Sequence, residues 1–241
     1  MFTYNLLFVA LINAFLANST PLESTCYNDV VTTPKACGIA LGFIAYDHEG
    51  DILPLNEDSV KLIGESCSLV VSKPMSARVT RKQVENAVGS LFKLCPHGGG
   101  RIPLPDNPAV TMEIRGRAPP DSEWAAYNPD YPYGEPYCYT KHGAPDQVAD
   151  DCLKAFEQVP VDSDGRITDA NKIRIKSLEV VFNSCAVRIF TNDGSNINLV
   201  KEQASVSFGD MVRKCDKQQG FLNVDGTEGP NGRVMIKTFH S

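Results

Sequence analysis

The chain has 241 residues, of which 22% are charged, and carries a net charge of −6. An acidic chain of this kind is a poor partner for nucleic acid, and it lacks the excess of basic residues that a polybasic membrane patch needs. The length allows one large domain or two domains of about 100 residues each.

The N-terminal residues predict a secretory signal peptide over residues 1–19. The segment from Leu6 to Ala17 is apolar but too short to span a bilayer, and small residues surround the expected cleavage site after Ser19. A buried N-terminal helix is the alternative, but Pro21 and polar residues follow at once. No later segment has the length and apolar character of a membrane span, so we expect a secreted, extracellular protein.

The chain contains the same pattern twice. Its eight cysteines form two sets of four. Consecutive cysteines are separated by 10, 29 and 27 residues in the first set and by 13, 32 and 29 residues in the second. The segment Glu65 to Val71 parallels Asn183 to Ile189, and a glycine follows the fourth cysteine of each set by five residues. We therefore predict a tandem duplication. Module 1 covers residues 20–115, a linker rich in Pro and Tyr covers 116–135, and module 2 covers 136–241.

In chain order, module 1 has a strand at its first cysteine, a helix opened by Thr33 and Pro34, and a β-hairpin. A second helix follows, opened by a capping box of Thr80 and Gln83, and Val110 to Ile114 forms the last strand.

Module 2 repeats this order. Its first helix is predicted from Pro145 to Val159 with Asp146 as N-cap, its hairpin turns at Asn183-Ser184, and its second helix covers Val200 to Lys214. The order β-α-β-β-α-β predicts an α+β fold of the ferredoxin-like, split βαβ type. Each module would be an antiparallel sheet with two helices on one face, and its first and third strands would be the adjacent, parallel central pair.

An even number of cysteines in an exported chain predicts disulfide bonds, whereas the absence of any C-x-x-C pair argues against zinc. The expected element order brings the first cysteine of each set near the fourth, and the second near the third. The favoured pairs are Cys26–Cys95, Cys37–Cys67, Cys138–Cys215 and Cys152–Cys185. Four cysteines allow three connectivities in each module, so other pairings stay open.

The sequence contains no recognisable catalytic motif. His48, His97, His142 and His240 do not fall at equivalent positions of the two copies, and neither a nucleophile motif nor a phosphate loop is present. Asp162-Ser163-Asp164-Gly165 predicts a β-turn, since Asn171 stands where a calcium loop needs a glutamate. We expect no enzyme activity, no metal and no cofactor.

Two segments are candidates for binding. The glycine-rich segment His97 to Arg101 could hold an anion with its backbone amides and Arg101, or could be a flexible turn after a helix. The linker has the chain's only tryptophan and three tyrosines, which either bind a target or pack on a module. These residues are Trp124, Tyr127, Tyr131 and Tyr133.

The order of the cysteines, together with Asp151-Cys152, Ser184-Cys185-Ala186-Val187, Cys215 and Gly220, resembles small secreted fungal proteins. These are the killer-toxin-like and necrosis-inducing effector families, including the smut-virus killer toxins. The resemblance implies compact, disulfide-bonded α/β modules that act outside the fungal cell on another organism.

The resulting functional hypothesis is a monomeric effector or toxin-like protein that binds a protein or cell-surface target of a host or competitor. The alternatives are a small secreted nuclease or hydrolase with a site between the modules, and a cell-surface binding or inhibitor protein.

Overall fold

The computed structural model describes residues 23–47, 51–120, 122–140 and 143–241. The predicted signal peptide, His48 and His142 lie outside the described residues. No helix in the described part of the chain is long and apolar enough to cross a membrane.

Both modules have the element order β-α-β-β-α-β-β. Module 1 consists of β1 (Thr25–Val31), α1 (Pro34–Gly42), β2 (Ser59–Gly64), β3 (Cys67–Ser72), α2 (Arg81–Leu94), β4 (Gly98–Leu104) and β5 (Asn107–Gly116). A short 3₁₀ helix (Ala125–Tyr127) lies in the linker. Module 2 consists of β6 (Tyr137–Tyr139), α3 (Ala149–Glu157), β7 (Ser177–Phe182), β8 (Cys185–Thr191), α4 (Lys201–Cys215), β9 (Gln219–Val224) and β10 (Val234–His240).

Local sequence sets where the helices begin. The Thr33 side chain accepts a hydrogen bond from the Ala36 amide at 3.1 Å, and Pro34 occupies the first turn of α1. Thr80 and Gln83 form the expected capping box at α2. The predicted N-cap of α3 is wrong, because the cap is Val148, which offers no side-chain hydrogen bond. Asp146 forms an ion pair with Lys217 at 3.2 Å instead.

Each module is an α+β unit with one five-stranded antiparallel sheet and two helices, as the sequence predicts in outline. The strand order is β1-β4-β5-β3-β2 in module 1 and β6-β9-β10-β8-β7 in module 2. This order corrects the expected parallel pairing of the first and third strands. The strands β4 and β9 were not predicted, and each forms an antiparallel hairpin with the strand after it. The hairpin fills the centre of the sheet, so the first strand of each module lies at an edge.

The four disulfides join the pairs favoured above. They are Cys26–Cys95, Cys37–Cys67, Cys138–Cys215 and Cys152–Cys185. In each module one bond fastens the edge strand to the end of the second helix, and the other fastens the first helix to the third strand. Gly100 and Gly220 pair with Cys26 and Cys138 across the edge strand. A Cβ on Gly100 would lie 2.5 Å from the Thr25 carbonyl oxygen and 2.9 Å from Cys95 Sγ, so glycine permits this close approach.

The helices of each module cover one face of its sheet and enclose an apolar core. In β8 the side chains of Cys185, Val187 and Ile189 point into this core, whereas Arg188 and Phe190 lie on the opposite face. That opposite face of the module 2 sheet supports a second, aromatic cluster. Its buried members are Ala126, Tyr139, Phe221 and Met235, and Tyr127, Tyr131, Tyr137 and Phe190 pack against them.

The two modules contact each other through a set of residues that we call the latch: Ala45, Glu57 and Asp58 of module 1, and Asp193 and Asn231 of module 2. Of these, Glu57, Asp193 and Asn231 are buried. The Asn231 side chain accepts a hydrogen bond from the Ala45 amide at 2.8 Å and donates one to the Ala45 carbonyl oxygen at 2.9 Å. The Asp58 amide donates to the Asp193 carbonyl oxygen at 2.8 Å. These bonds join loops that precede or follow β2, β8 and β10, so they fix the strand ends of one module against those of the other.

Candidate functional site

The linker carries a stack of aromatic rings that begins in the module 2 sheet and ends at the surface. The Tyr127 ring lies on Phe221 of β9, with centroids 4.5 Å apart, and Trp124 lies 5.6 Å from Tyr127 on the outer side. Phe221 is fully buried, whereas Trp124 is 57% exposed. The stack therefore presents a large ring to solvent on a rigid, buried base.

The backbone of the linker holds this stack in place. Asn223 of β9 donates from its side chain to the Ala126 carbonyl oxygen at 2.8 Å. From the other module, Lys61 Nζ donates to the Tyr127 carbonyl oxygen at 3.0 Å. Burial lowers the pKa of Lys61, and the nearby Arg115 guanidinium lowers it further. Both sheets thus hold the 3₁₀ helix, and the exposed position of Trp124 follows from the fold.

Two clefts flank the stack, and Trp124 and Tyr127 line both. The first cleft has a volume of about 940 Å³ and lies on the module 2 sheet. Its wall includes Tyr139 and Phe190, and two cations that pair across β8 and β10, Arg188 and Lys237. Arg188 lies 5.5 Å from the Phe190 ring centroid and Lys237 5.4 Å from that of Tyr139, so both cations lie over ring faces.

Charges of both signs surround the first cleft. Glu123 and His240 also line it. Glu179 lies opposite Arg188 on the neighbouring strand β7. The Tyr139 hydroxyl is buried and has no hydrogen-bond partner among the residues that the structure describes. Burial raises the pKa of Tyr139, and nearby Tyr127 and Glu123 raise it further, so this hydroxyl is a hydrogen-bond donor at physiological pH.

The second cleft has a volume of about 890 Å³ and lies on the module 1 sheet. Glu113 is its buried centre, and it accepts hydrogen bonds from the Tyr27 hydroxyl and from Arg115, the latter at 2.6 and 2.8 Å. Burial alone would raise the pKa of Glu113, but the hydrogen bonds from Arg115 and Tyr27 lower it. The carboxylate therefore stays ionised and holds the Arg115 guanidinium beside the linker.

Both clefts have the chemical groups that recognise a ligand. They offer ring faces, hydroxyl groups and charges of both signs, which are the groups that orient a bound partner. Cys67, Cys95, Cys185 and Cys215 are all in disulfides, and His240 is the one described histidine at a cleft, where its Nδ1 lies 2.8 Å from the Ser241 oxygen.

The linker aromatics predicted from the sequence divide into two groups. Trp124 and Tyr127 line the clefts, whereas Tyr131 lies 5.7 Å from Tyr137 in the aromatic cluster. Tyr133 is exposed, with the Arg233 guanidinium 4.3 Å from its ring centroid. In the same segment, Tyr131 thus packs on module 2, whereas Trp124 and Tyr133 are exposed.

The glycine-rich segment does not form the expected loop. Gly98 to Leu104 is strand β4, and Gly98 and Gly100 pair with Val31 and Cys26 of β1. This pairing removes the loop expected at the three glycines, although a turn at Pro96 and His97 does follow the helix. Anion binding by His97 and Arg101 stays a prediction. His97 is exposed beside the strand. Arg101 lies on β4 opposite Glu113 of β5, and its positive charge helps to lower the pKa of the carboxylate at the centre of the second cleft.

Sequence reasoning missed the partners of Trp124 on the sheets. Arg188, Phe190 and Lys237 lie on predicted strands, and their alternation with core residues could have placed them on one face. Glu113 lies on the predicted strand Val110 to Ile114 and alternates with core residues in the same way. Its partner Tyr27 could not be identified from the sequence, because the edge position of β1 does not follow from the predicted element order.

Comparisons with known proteins place the chain in no family. No protein-family model matches it, and no curated protein matches it. Among solved structures it is similar to the tandem DUF26 ectodomain from the Arabidopsis thaliana cysteine-rich receptor-like protein PDLP8, with 8% sequence identity and a TM-score of 0.28, over 91% of this chain and 98% of that chain. A similarity at this level carries no argument about function. The resemblance to killer-toxin-like and necrosis-inducing families stays a prediction.

Proposed function

We propose that this chain is a secreted, non-enzymatic protein that binds a target on the surface of another cell through the two clefts at its linker. The observation that carries the proposal is the position of Trp124. It is more than half exposed, at the end of a ring stack that both sheets hold in place, and it lines both clefts.

An exposed tryptophan on a rigid base is typical of a binding hot spot. Tryptophan, tyrosine and arginine dominate the energetics of protein interfaces, and here all three residue types line the clefts, as Trp124, Tyr127, Arg115 and Arg188. A solvent-exposed ring adds little to folding, since most of its surface stays in water. The four disulfides support an extracellular location, because such bonds persist in oxidising compartments.

The finer form of the proposal is an effector or toxin-like protein that acts on a host or competitor. Its test applies the purified mature protein to plant leaf tissue and to competing fungi. Cell death or growth arrest supports this finer form, and the absence of both effects at every dose overturns it.

The general proposal is tested by the binding of fluorophore-labelled protein to the same tissue and cells. Trp124→Ala should weaken saturable binding about 30-fold, the effect of losing a hot spot worth about 2 kcal/mol. Val206→Ala is the matched control, because Val206 is 71% exposed on α4, on the helical face of the sheet. Equal binding by the Trp124→Ala variant and the wild type would overturn the proposal.

A further inference from the structure

The latch between the modules contains two buried carboxylic acids, one from each module. Glu57 and Asp193 are 0% and 1% exposed. Both approach Gly229 of module 2. A Cβ at that position would lie 2.5 Å from Glu57 Oε1 and 2.2 Å from Asp193 Oδ2. The acids therefore face the same small space at the interface.

The side-chain hydrogen bonds of Glu57 both go to Asn231 of the other module. Its Oε1 accepts from the Asn231 amide and its Oε2 from Asn231 Nδ2, both at 2.8 Å. Asp193 accepts from Ser195 of its own module, through the amide at 3.1 Å and the hydroxyl at 2.8 and 2.9 Å. Glu57 is thus the acid whose carboxyl oxygens accept hydrogen bonds across the interface.

Among the described residues, no cation forms a hydrogen bond or an ion pair with the carboxylate of Glu57 or Asp193, although the charge of nearby Lys73 opposes the rise in the pKa of Glu57. Lys73 is buried, but its Nζ donates to the Glu57 and Met75 carbonyl oxygens rather than to the carboxylate. Lys176 of module 2 forms an ion pair with Asp58 at 3.4 Å at the rim. The other charged groups on the loops and strands around the latch are Arg101, Arg174, Glu228 and Arg233.

We propose that the latch is a proton-controlled contact between the two modules, closed while Glu57 is neutral and weakened when Glu57 ionises. In the closed state a Glu57 carboxylate would face the Asp193 carboxylate in a space without water access. In an open state Glu57 is hydrated, so its ionisation costs neither the free energy of desolvation nor that of repulsion from Asp193.

The direction of the effect follows from linkage. Burial raises the pKa of Glu57 from 4.5 to about 7, the bonds from Asn231 oppose this rise, and Asp193 adds to it. Burial likewise raises the pKa of Asp193. Below pH 4.5 the open and closed states both hold the Glu57 proton, so pH has no effect through this group. Between pH 4.5 and 7 only the closed state holds it, so the opening constant rises about tenfold per pH unit and then levels off.

The latch is placed to change the clefts. It joins the strand ends near Ser59 and Val234, whereas the clefts extend towards the opposite end of each sheet, at Gly116 of β5 and His240 of β10. Opening the contact at one end alters the angle between two sheets that both touch the linker stack. This inference stands whether or not the clefts bind the proposed target.

The test is hydrogen exchange of the full-length oxidised protein at pH 5, 6, 7 and 8, expressed as protection factors so that the intrinsic pH dependence cancels. The Asp58 and Asn231 amides cross the interface and report opening. Their protection should fall about tenfold per unit from pH 5 to 7 and then level off, while amides of the β8–β10 ladder keep theirs. Latch protection that is independent of pH would overturn the proposal.

Two variants distinguish the latch from general loosening. Glu57→Gln should give latch protection that depends less steeply on pH than that of the wild type, because the Gln side chain carries no titratable proton and Asp193 remains the one titrating acid of the pair. Asn231→Ala should leave the Asp58 amide poorly protected at every pH. Glu179→Gln, an exposed position on β7, is the control and should follow the wild type. A slope in Glu57→Gln equal to that of the wild type would refute the role of this acid.

Discussion

The substitution Gly64→Ala tests how closely α1 lies on its sheet. Gly64 ends β2, opposite Cys67, and a Cβ there would lie 2.3 Å from the Ala36 carbonyl oxygen and 2.5 Å from the Ala40 amide nitrogen. Both contacts are with helix backbone, so relief requires α1 to move as a unit. The Cys37–Cys67 disulfide holds the helix to β3 and resists that movement.

The expected cost is at the upper end of the range for overpacking, about 2–3 kcal/mol of the free energy of unfolding. The same change at Gly38 should have the opposite sign. Gly38 is exposed within α1 and a Cβ there would have no atom within 4 Å, so Gly38→Ala should stabilise by about 1 kcal/mol. Two identical chemical changes at one helix–strand contact should therefore differ by about 3–4 kcal/mol.

Urea denaturation of the oxidised full-length protein, followed by circular dichroism, measures both values. Gly42→Ala is a second control, since a Cβ at Gly42 also has no atom within 4 Å. The reasoning is refuted if Gly64→Ala leaves the midpoint unchanged, or if Gly38→Ala destabilises as much as Gly64→Ala does.

Three further predictions follow from helix ends and from the difference between the modules. Thr80→Ala removes the capping box with Gln83 and should cost about 1 kcal/mol in urea denaturation; no change would contradict the capping role. Val148→Ser supplies the cap that α3 lacks and should stabilise by about 0.5–1 kcal/mol; a lower midpoint would show that the exposed valine packs. Expressed separately under oxidising conditions, residues 136–241 should melt at a higher temperature than residues 24–115, because α1 contains two glycines and α3 none; equal melting temperatures would contradict this.

Features encoded by neighbouring residues could be predicted from the sequence. The caps of α1 and α2 depend on side chains within three residues of the helix start, and both form as expected. The β7–β8 hairpin turns at Asn183-Ser184 with Asn183 at φ 46°, a conformation that asparagine tolerates. The duplication was visible because the cysteine spacing persists when the other residues differ.

The strand order could not be predicted, because β4 has no typical strand sequence. β4 begins with three glycines and contains Pro103, residues that usually mark a turn. These glycines are required by contacts distant in sequence: a Cβ on Gly99 would lie 2.3 Å from Val30 Cβ, and one on Gly98 would lie 2.5 Å from a carbon of the Phe92 ring. Tertiary packing thus explains a composition that, taken locally, predicts a loop.

The candidate site depends on this same pairing of distant residues. Trp124 could be identified as a candidate from the sequence. Its position as the common wall of two clefts depends on Phe221, which lies beneath the neighbouring ring of Tyr127, and on Lys61 of the other module. Glycines determine the latch in a similar way, since side chains at Gly229 and Gly232 would occupy the space that Asp193 fills. In both places a residue without a side chain, or a strand without a typical sequence, sets the distance between the modules. The duplicated cysteines stabilise each module separately, whereas these unrepeated positions hold the two modules against each other.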